Sequence, residues 1–171
     1  MRGQRGWAGV WALGLVTITS YGSWFYGFGV LIEPIETDQG WSTTLLGLTY
    51  GAAQIVAGVG AFIGGRLLDR HGGKGPFLTQ AVGGGGLLLA ATWAESAPAF
   101  SLVYGLGGGI VGATGFYHVT TAAAARLRPR EPDRAIAVLT VIGALCSPVY
   151  LPLTAWLVST WDWRVAARVL A

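Results

Sequence analysis

Ten residues, Gly65-Arg66-Leu67-Leu68-Asp69-Arg70-His71-Gly72-Gly73-Lys74, set four formal charges between two apolar runs. The upstream run covers about residues 41–64 and the downstream run about 76–94. About 20 apolar residues cross the hydrocarbon core of a bilayer as a helix. A short, basic, glycine-punctuated link between two such runs fits a cytoplasmic loop, where Lys and Arg accumulate.

Working outward, three more runs appear, at about 7–32, 98–125 and 135–160, and residues 164–171 open a sixth that is cut short. The first run is too long for the 7–15 apolar residues of a cleaved signal peptide, so it reads as an uncleaved span. Arg2 and Arg5 precede it, and Glu33, Glu36 and Asp38 follow it. Glu95 lies between the third and fourth runs. Arg126, Arg128, Arg130 and Arg134, with Glu131 and Asp133, lie between the fourth and fifth. Every basic residue up to Arg134 falls on one side, and the opposite loops hold only acids until Arg164. That alternation predicts a cytoplasmic N-terminus and a multi-pass chain in a plasma or inner membrane.

Composition agrees. Hydrophobic residues make up 53% of the 171, and charged residues only 11%, against about 25% in soluble domains. The net charge of +3 sits in loops, so the positive-inside rule accounts for it without a nucleic-acid partner. The single cysteine, Cys146, closes no internal disulfide, and two histidines with one thiol form no metal cluster at any usual spacing. No metal or other cofactor is expected.

Gly47 and Gly51, Gly60 and Gly64, Gly105 and Gly109, and Gly108 and Gly112 are small pairs four apart, which let membrane helices approach closely. The run Gly83 to Gly86 reads as a close-contact face or a weak helix. Gly107, Gly109 and Gly112 spell G-x-G-x-x-G, but inside an apolar span rather than a strand-turn-helix, so packing is expected there. Gly73-Lys74 is no phosphate loop, since Gly75 replaces the Ser or Thr and Leu68 the first glycine.

The opening ten residues resemble the signature G-x-L-x-D-R-x-G-x-K/R of the major facilitator superfamily, with Gly65, Leu67, Asp69, Arg70, Gly72 and Lys74 matching. Gly75 stands where a further basic residue is common. The resemblance implies an all-α membrane fold, the six-helix N-terminal bundle with its sixth helix truncated, and a missing C-terminal half. It also implies a gating role for the motif, with Asp69 pairing across the domain interface to hold the cytoplasmic face closed. A carboxylate near helix dipoles and arginines makes a breakable latch of that kind.

Ser20-Tyr21-Gly22-Ser23-Trp24-Phe25-Tyr26-Gly27-Phe28-Gly29-Val30-Leu31, with Pro34 and Gly40-Trp41-Ser42, resembles the monocarboxylate-transporter-like branch. Trp161-Asp162-Trp163-Arg164 resembles the superfamily's usual start of helix six. The branch's acidic opening is replaced by Arg5-Gly6-Trp7, and no lysine lies within helix one.

Polar side chains within spans face the bundle interior or water. Helix one offers Ser20, Tyr21 and Ser23; helix two, Tyr50 and Gln54; helix four, Thr114, Tyr117, His118 and Thr121, spaced as one stripe; helix five, Ser147 and Tyr150, beside Pro148 and Pro152. Helix three offers Gln80, near its cytoplasmic end. Tyr21, Gln54, Tyr117, His118, Ser147 and Tyr150 are the expected substrate contacts. The resemblance implies secondary transport of a small organic solute, a carboxylate-type anion, coupled to protons. No carboxylate lies at mid-depth, so His118 or the other half would carry the proton. The alternatives are a non-transporting scaffold or receptor on the same fold, and an intramembrane hydrolase built from Ser23 and His118.

Overall fold

The computed structural model describes the backbone of residues 2–171 and the side chains of residues 6–70 and 72–171. The side chains of Arg2 and Arg5, expected ahead of the first span, lie outside the described residues, as does that of His71. Among the described residues there are helices and no strand.

Helix α1 runs through Arg2–Ser20, a π-helical stretch Tyr21–Tyr26, and Gly27–Gln39. Helix α2 is Thr43–His71. Helix α3 combines Lys74–Leu78, a second π-helical stretch Thr79–Gly84, and Gly85–Ala91. Helix α4 comprises Ala97–Gly115 and Tyr117–Leu127, separated at Phe116. Helix α5 comprises Pro132–Gly143 and Cys146–Thr160. Helix α6 is Trp163–Leu170.

Local chemistry explains the ends. Ser42 caps α2 by accepting from the Leu45 N–H at 3.3 Å, and Asp162 caps α6 by accepting from the Val165 N–H at 2.7 Å. Gly40 and Gly72 end α1 and α2 with φ of 67° and 73°, which glycine adopts without steric cost. Prolines stand in the first turn of α4 and of α5, where a missing N–H is harmless.

The helices outrun the apolar runs. Glu33, Glu36 and Asp38 ride the last turns of α1, and Arg66, Asp69 and Arg70 those of α2. The link after α2 shrinks to Gly72-Gly73, because glycine ends the helix where the charged residues do not. Gly6–Gln39, Thr43–Arg70, Ala97–Leu127 and Pro132–Thr160 are long and apolar enough to cross a membrane. Leu15, Leu48, Ile55, Phe62, Val82 and Val141 are exposed.

Two apolar clusters fill the bundle. One gathers Trp24, Phe28, Leu31, Ile35, Phe100, Tyr104 and Trp163; the other gathers Val10, Leu13, Leu68, Val119, Ala123 and Leu139. Helices α2 and α4 touch through small residues. A methyl added at Gly112 would come within 2.7 Å of Ala57 Cβ, and one at Gly60 within 2.7 Å of Ala113 Cβ. Gly107 and Gly109 meet α3 and α2 respectively, so the G-x-G-x-x-G serves packing. Within the α3 glycine run, Gly84 lies against Val111 and Gly107, whereas Gly83 and Gly86 are open or nearly so.

Charges collect at the two ends of the bundle. At one end Asp69 pairs with Arg126, and Glu131 with Arg128 and Arg134. The Arg128 hydrogen bond, helped by Arg134, holds the Glu131 carboxyl below the ordinary carboxylate range against a weaker opposing effect of burial. Trp7 lies 4.8 Å from the Arg128 guanidinium and 5.2 Å from that of Arg134. At the other end Trp163 Nε1 donates to Asp38 at 2.8 Å, and Arg164 donates to the Thr92 carbonyl at 2.6 Å.

Candidate functional site

The π-helical stretch of α1 and the break in α4 meet on one face of the bundle. Tyr21 stacks on Phe116 with centroids 4.0 Å apart and lies 5.2 Å from the Tyr117 ring. Phe25 contacts Tyr21, Tyr26, Tyr50 and Phe116 edge to face. Gln54 Nε2 donates to Tyr50 Oη at 3.3 Å. Tyr21, Tyr50, Gln54 and Tyr117 are each only partly buried. The result is an aromatic floor with phenol hydroxyls and an amide at its margin. The Tyr117 hydroxyl has only a 3.5 Å contact to the Thr140 carbonyl, at the outer limit of a hydrogen bond. It is therefore able to donate to another acceptor.

Phe116 is extended, with φ −85° and ψ 165°. That geometry interrupts the ladder of α4 and frees the groups on either side. Broken helices at membrane depth are tolerated where they are enclosed by protein or line a cavity.

Side chains on α1 and α3 grip both sides of this break. Below it, Thr17 Oγ1 donates to Thr120 Oγ1 at 2.9 Å. Above it, Thr114 Oγ1 donates to Gln80 Oε1 at 3.0 Å, and Gln80 Nε2 donates to Ser20 Oγ at 2.5 Å. Thr17 and Thr120 are fully buried, and Gln80 is buried. None of Phe25, Phe116, Thr17 or Thr120 stood out in the sequence. Their signal is pairwise and long-range, and a phenylalanine or threonine in an apolar span carries none alone.

The expected contacts divide. Tyr21 and Tyr117 are adjacent, and Gln54 joins them through Tyr50 and Phe25. His118 is exposed on the neighbouring face, beside Ala61, Phe62 and Gly65 of α2. Tyr150 packs on Gly22, where a methyl would come within 2.2 Å of its ring. It lines a cavity of about 370 Å³ with Thr19, Ser20, Ser23 and Gln80. Ser147 is partly buried on α5. The helix-four stripe corrects in one respect. Thr114 turns to Gln80 while Tyr117 and His118 turn elsewhere, because the extended Phe116 resets the helical phase.

In the signature segment, a methyl added at Gly65 would meet nothing within 4 Å and Leu67 is 41% exposed. Asp69 pairs within this bundle, with Arg126, and both side chains are more than half exposed. Arg70 is exposed on the last turn of α2. Gly72 and Lys74 border an apolar cavity of about 460 Å³ among α1, α3 and α4. Among the described residues no cluster of His, Cys, Asp and Glu is suited to a metal ion.

Among curated proteins none matches the chain. The family profile of the Major Facilitator Superfamily matches residues 13–171. That match runs from Leu13, within α1, through α6, so the chain belongs to the major facilitator superfamily and is a multi-pass membrane transporter in general character.

Proposed function

We propose that this bundle is one half of a secondary active transporter that moves a small carboxylate-type organic anion, coupled to protons, by alternating access. The carrying observation is the patch of Tyr21, Tyr50, Gln54 and Tyr117 around Phe25 and Phe116, beside the break in α4. Phenol and amide donors bind a carboxylate by hydrogen bonding, and the aromatic floor takes its apolar body. No acid or base lies in the patch, so His118, or a group on a second bundle, carries the proton and compensates the anion's charge.

A second bundle has a surface to meet. A methyl added at Gly47, Gly51, Gly58 or Gly65 of α2 would meet nothing within 4 Å, and their spacings of four and seven set them along one seam. With that partner in place, Asp69 and Arg126 form a breakable ion pair at the closing end. The end bearing Arg126, Arg128 and Arg134 faces the cytoplasm of a plasma or inner membrane.

Uptake of labelled short monocarboxylates by the intact protein in proteoliposomes, under an inward proton gradient, tests this. Saturable uptake that collapses with the gradient is the expected result. Folded, reconstituted protein that takes up no carboxylate under any gradient would overturn the substrate class. Absence of any solute-dependent change in accessibility would favour a non-transporting scaffold.

A further inference from the structure

The hydrogen-bond chain above the α4 break is built to completion. Thr114 donates to Gln80, Gln80 donates to Ser20, and Ser20 Oγ donates to the Val16 carbonyl at 2.6 Å. Ser20 is 2% exposed, Thr114 7% and Gln80 9%. A satisfied chain in a low-dielectric interior is strong, and breaking one member strands the others. The chain also needs Gly115. A methyl there would come within 2.1 Å of Ser20 Oγ and 2.7 Å of Gln80 Nε2. The residue after Gly115 is the extended Phe116, so the last turn of the first α4 segment is tied down where the break begins.

We propose that Gln80 is a positioning residue for solute binding: by joining Thr114 to Ser20 it fixes the break at Phe116 and so the direction in which Tyr117 presents its hydroxyl. Gln80 does not touch the patch. It sits on α3, borders the cavity of about 370 Å³ behind α1, and acts through the two helices that carry Tyr21 and Tyr117. This rests on the reading of Tyr117 as a solute contact, and a native thiol separates the two ideas. Cys146 is 5% exposed. Its Sγ donates to the carbonyl of Gly143 at 2.6 Å, and the Tyr117 hydroxyl lies against Gly143. Movement of Tyr117 off Gly143 is therefore expected to raise the exposure of Cys146 whether or not anything is transported.

The experiment uses the intact protein in membranes, with alkylation of Cys146 by a membrane-permeant maleimide and solute uptake measured in parallel. Gln80→Leu removes both bonds at similar volume; Thr114→Val removes one and guards against misfolding of the first variant. Both should label about three- to tenfold faster than the parent, the shift that loss of a hydrogen bond produces. Both should raise the half-saturation constant by a similar factor and leave the maximal rate within about twofold. Gln80→Glu, neutral when buried, keeps an acceptor for Thr114 and a donor for Ser20 and should behave as the parent. Parent-like labelling in both Gln80→Leu and Thr114→Val overturns the proposal. Faster labelling with an unchanged half-saturation constant upholds the control of Tyr117 position and overturns Tyr117 as a solute contact.

Discussion

Tyr117→Phe removes one oxygen and leaves the ring, and the surroundings say what that oxygen is free to do. Besides its packing on Gly143, its one hydrogen-bond approach among the described residues is 3.5 Å to the Thr140 carbonyl, too long to stabilise the fold appreciably. The ring contact with Tyr21, at 5.2 Å between centroids, survives the change. Expression and thermal stability should therefore stay near those of the parent. A neutral hydrogen bond contributes about 0.5–1.5 kcal/mol, and one to a charged group about 1.5–3 kcal/mol. At about 1.4 kcal/mol per tenfold, the half-saturation constant for a carboxylate should rise by about tenfold or more, and for a neutral isostere by about two- to twelvefold. Initial uptake rates across a concentration series, for the acid and for its amide, measure both. Equal half-saturation constants in parent and variant for both solutes, at equal surface level, would refute the assignment of Tyr117.

Single cysteines at Arg70 and Arg130, in a Cys146→Ala background, should be shielded from an impermeant thiol reagent in intact cells, whereas one at Glu95 should be labelled; labelling at position 70 from outside would reverse the orientation. Asp69→Asn should slow cycling several-fold without loss of membrane insertion, since its partner Arg126 sits on a different helix; unchanged uptake and unchanged accessibility of that end would remove the pair from gating. Gly112→Val should destabilise the bundle by about 1–3 kcal/mol through overpacking against Ala57, read as a loss of heat-resistant monodisperse protein, whereas Gly51→Val, on the open seam, should leave the isolated bundle unaffected. His118→Ala should flatten the pH dependence of uptake between about pH 5.5 and 8 if His118 carries the coupled proton; an unchanged profile assigns the proton to another group.

The sidedness of charge was legible because it depends on residue type and order alone. Arg126, Arg128 and Arg134 gather with Asp69 and Glu131 at one end, away from Asp38 and Arg164 at the other. Helix ends were less legible. Apolar runs mark where lipid begins, whereas helices stop where Gly40 and Gly72 turn, several residues further on. The packing role of Gly107, Gly109 and Gly112 could be inferred, since no phosphate reaches an apolar span. Helix α3 offered only Gln80, near its cytoplasmic end, and residue type alone could not show that this amide joins α1 to α4.

The break at Phe116 marks where sequence reasoning stops and why. No proline lies between Pro98 and Pro129, and proline is the usual local cause of a helix break. A stripe of polar residues at three- and four-residue spacing was the natural inference for an unbroken helix. The cause is instead distributed. Gly115 leaves room for Ser20 and Gln80, Thr17 holds Thr120 on the far side, and the Tyr21 ring stacks on the displaced Phe116. Each of these contacts is modest, and each joins residues on different helices. The same assembly of contacts turns Tyr117 toward Tyr21 and His118 toward Gly65, so one irregular residue separates a phenol beside Tyr21 from an imidazole on the next face. Whatever moves α1 against α4 during a transport cycle must act on this junction, because it is where the two helices are hydrogen-bonded on both sides of a discontinuity.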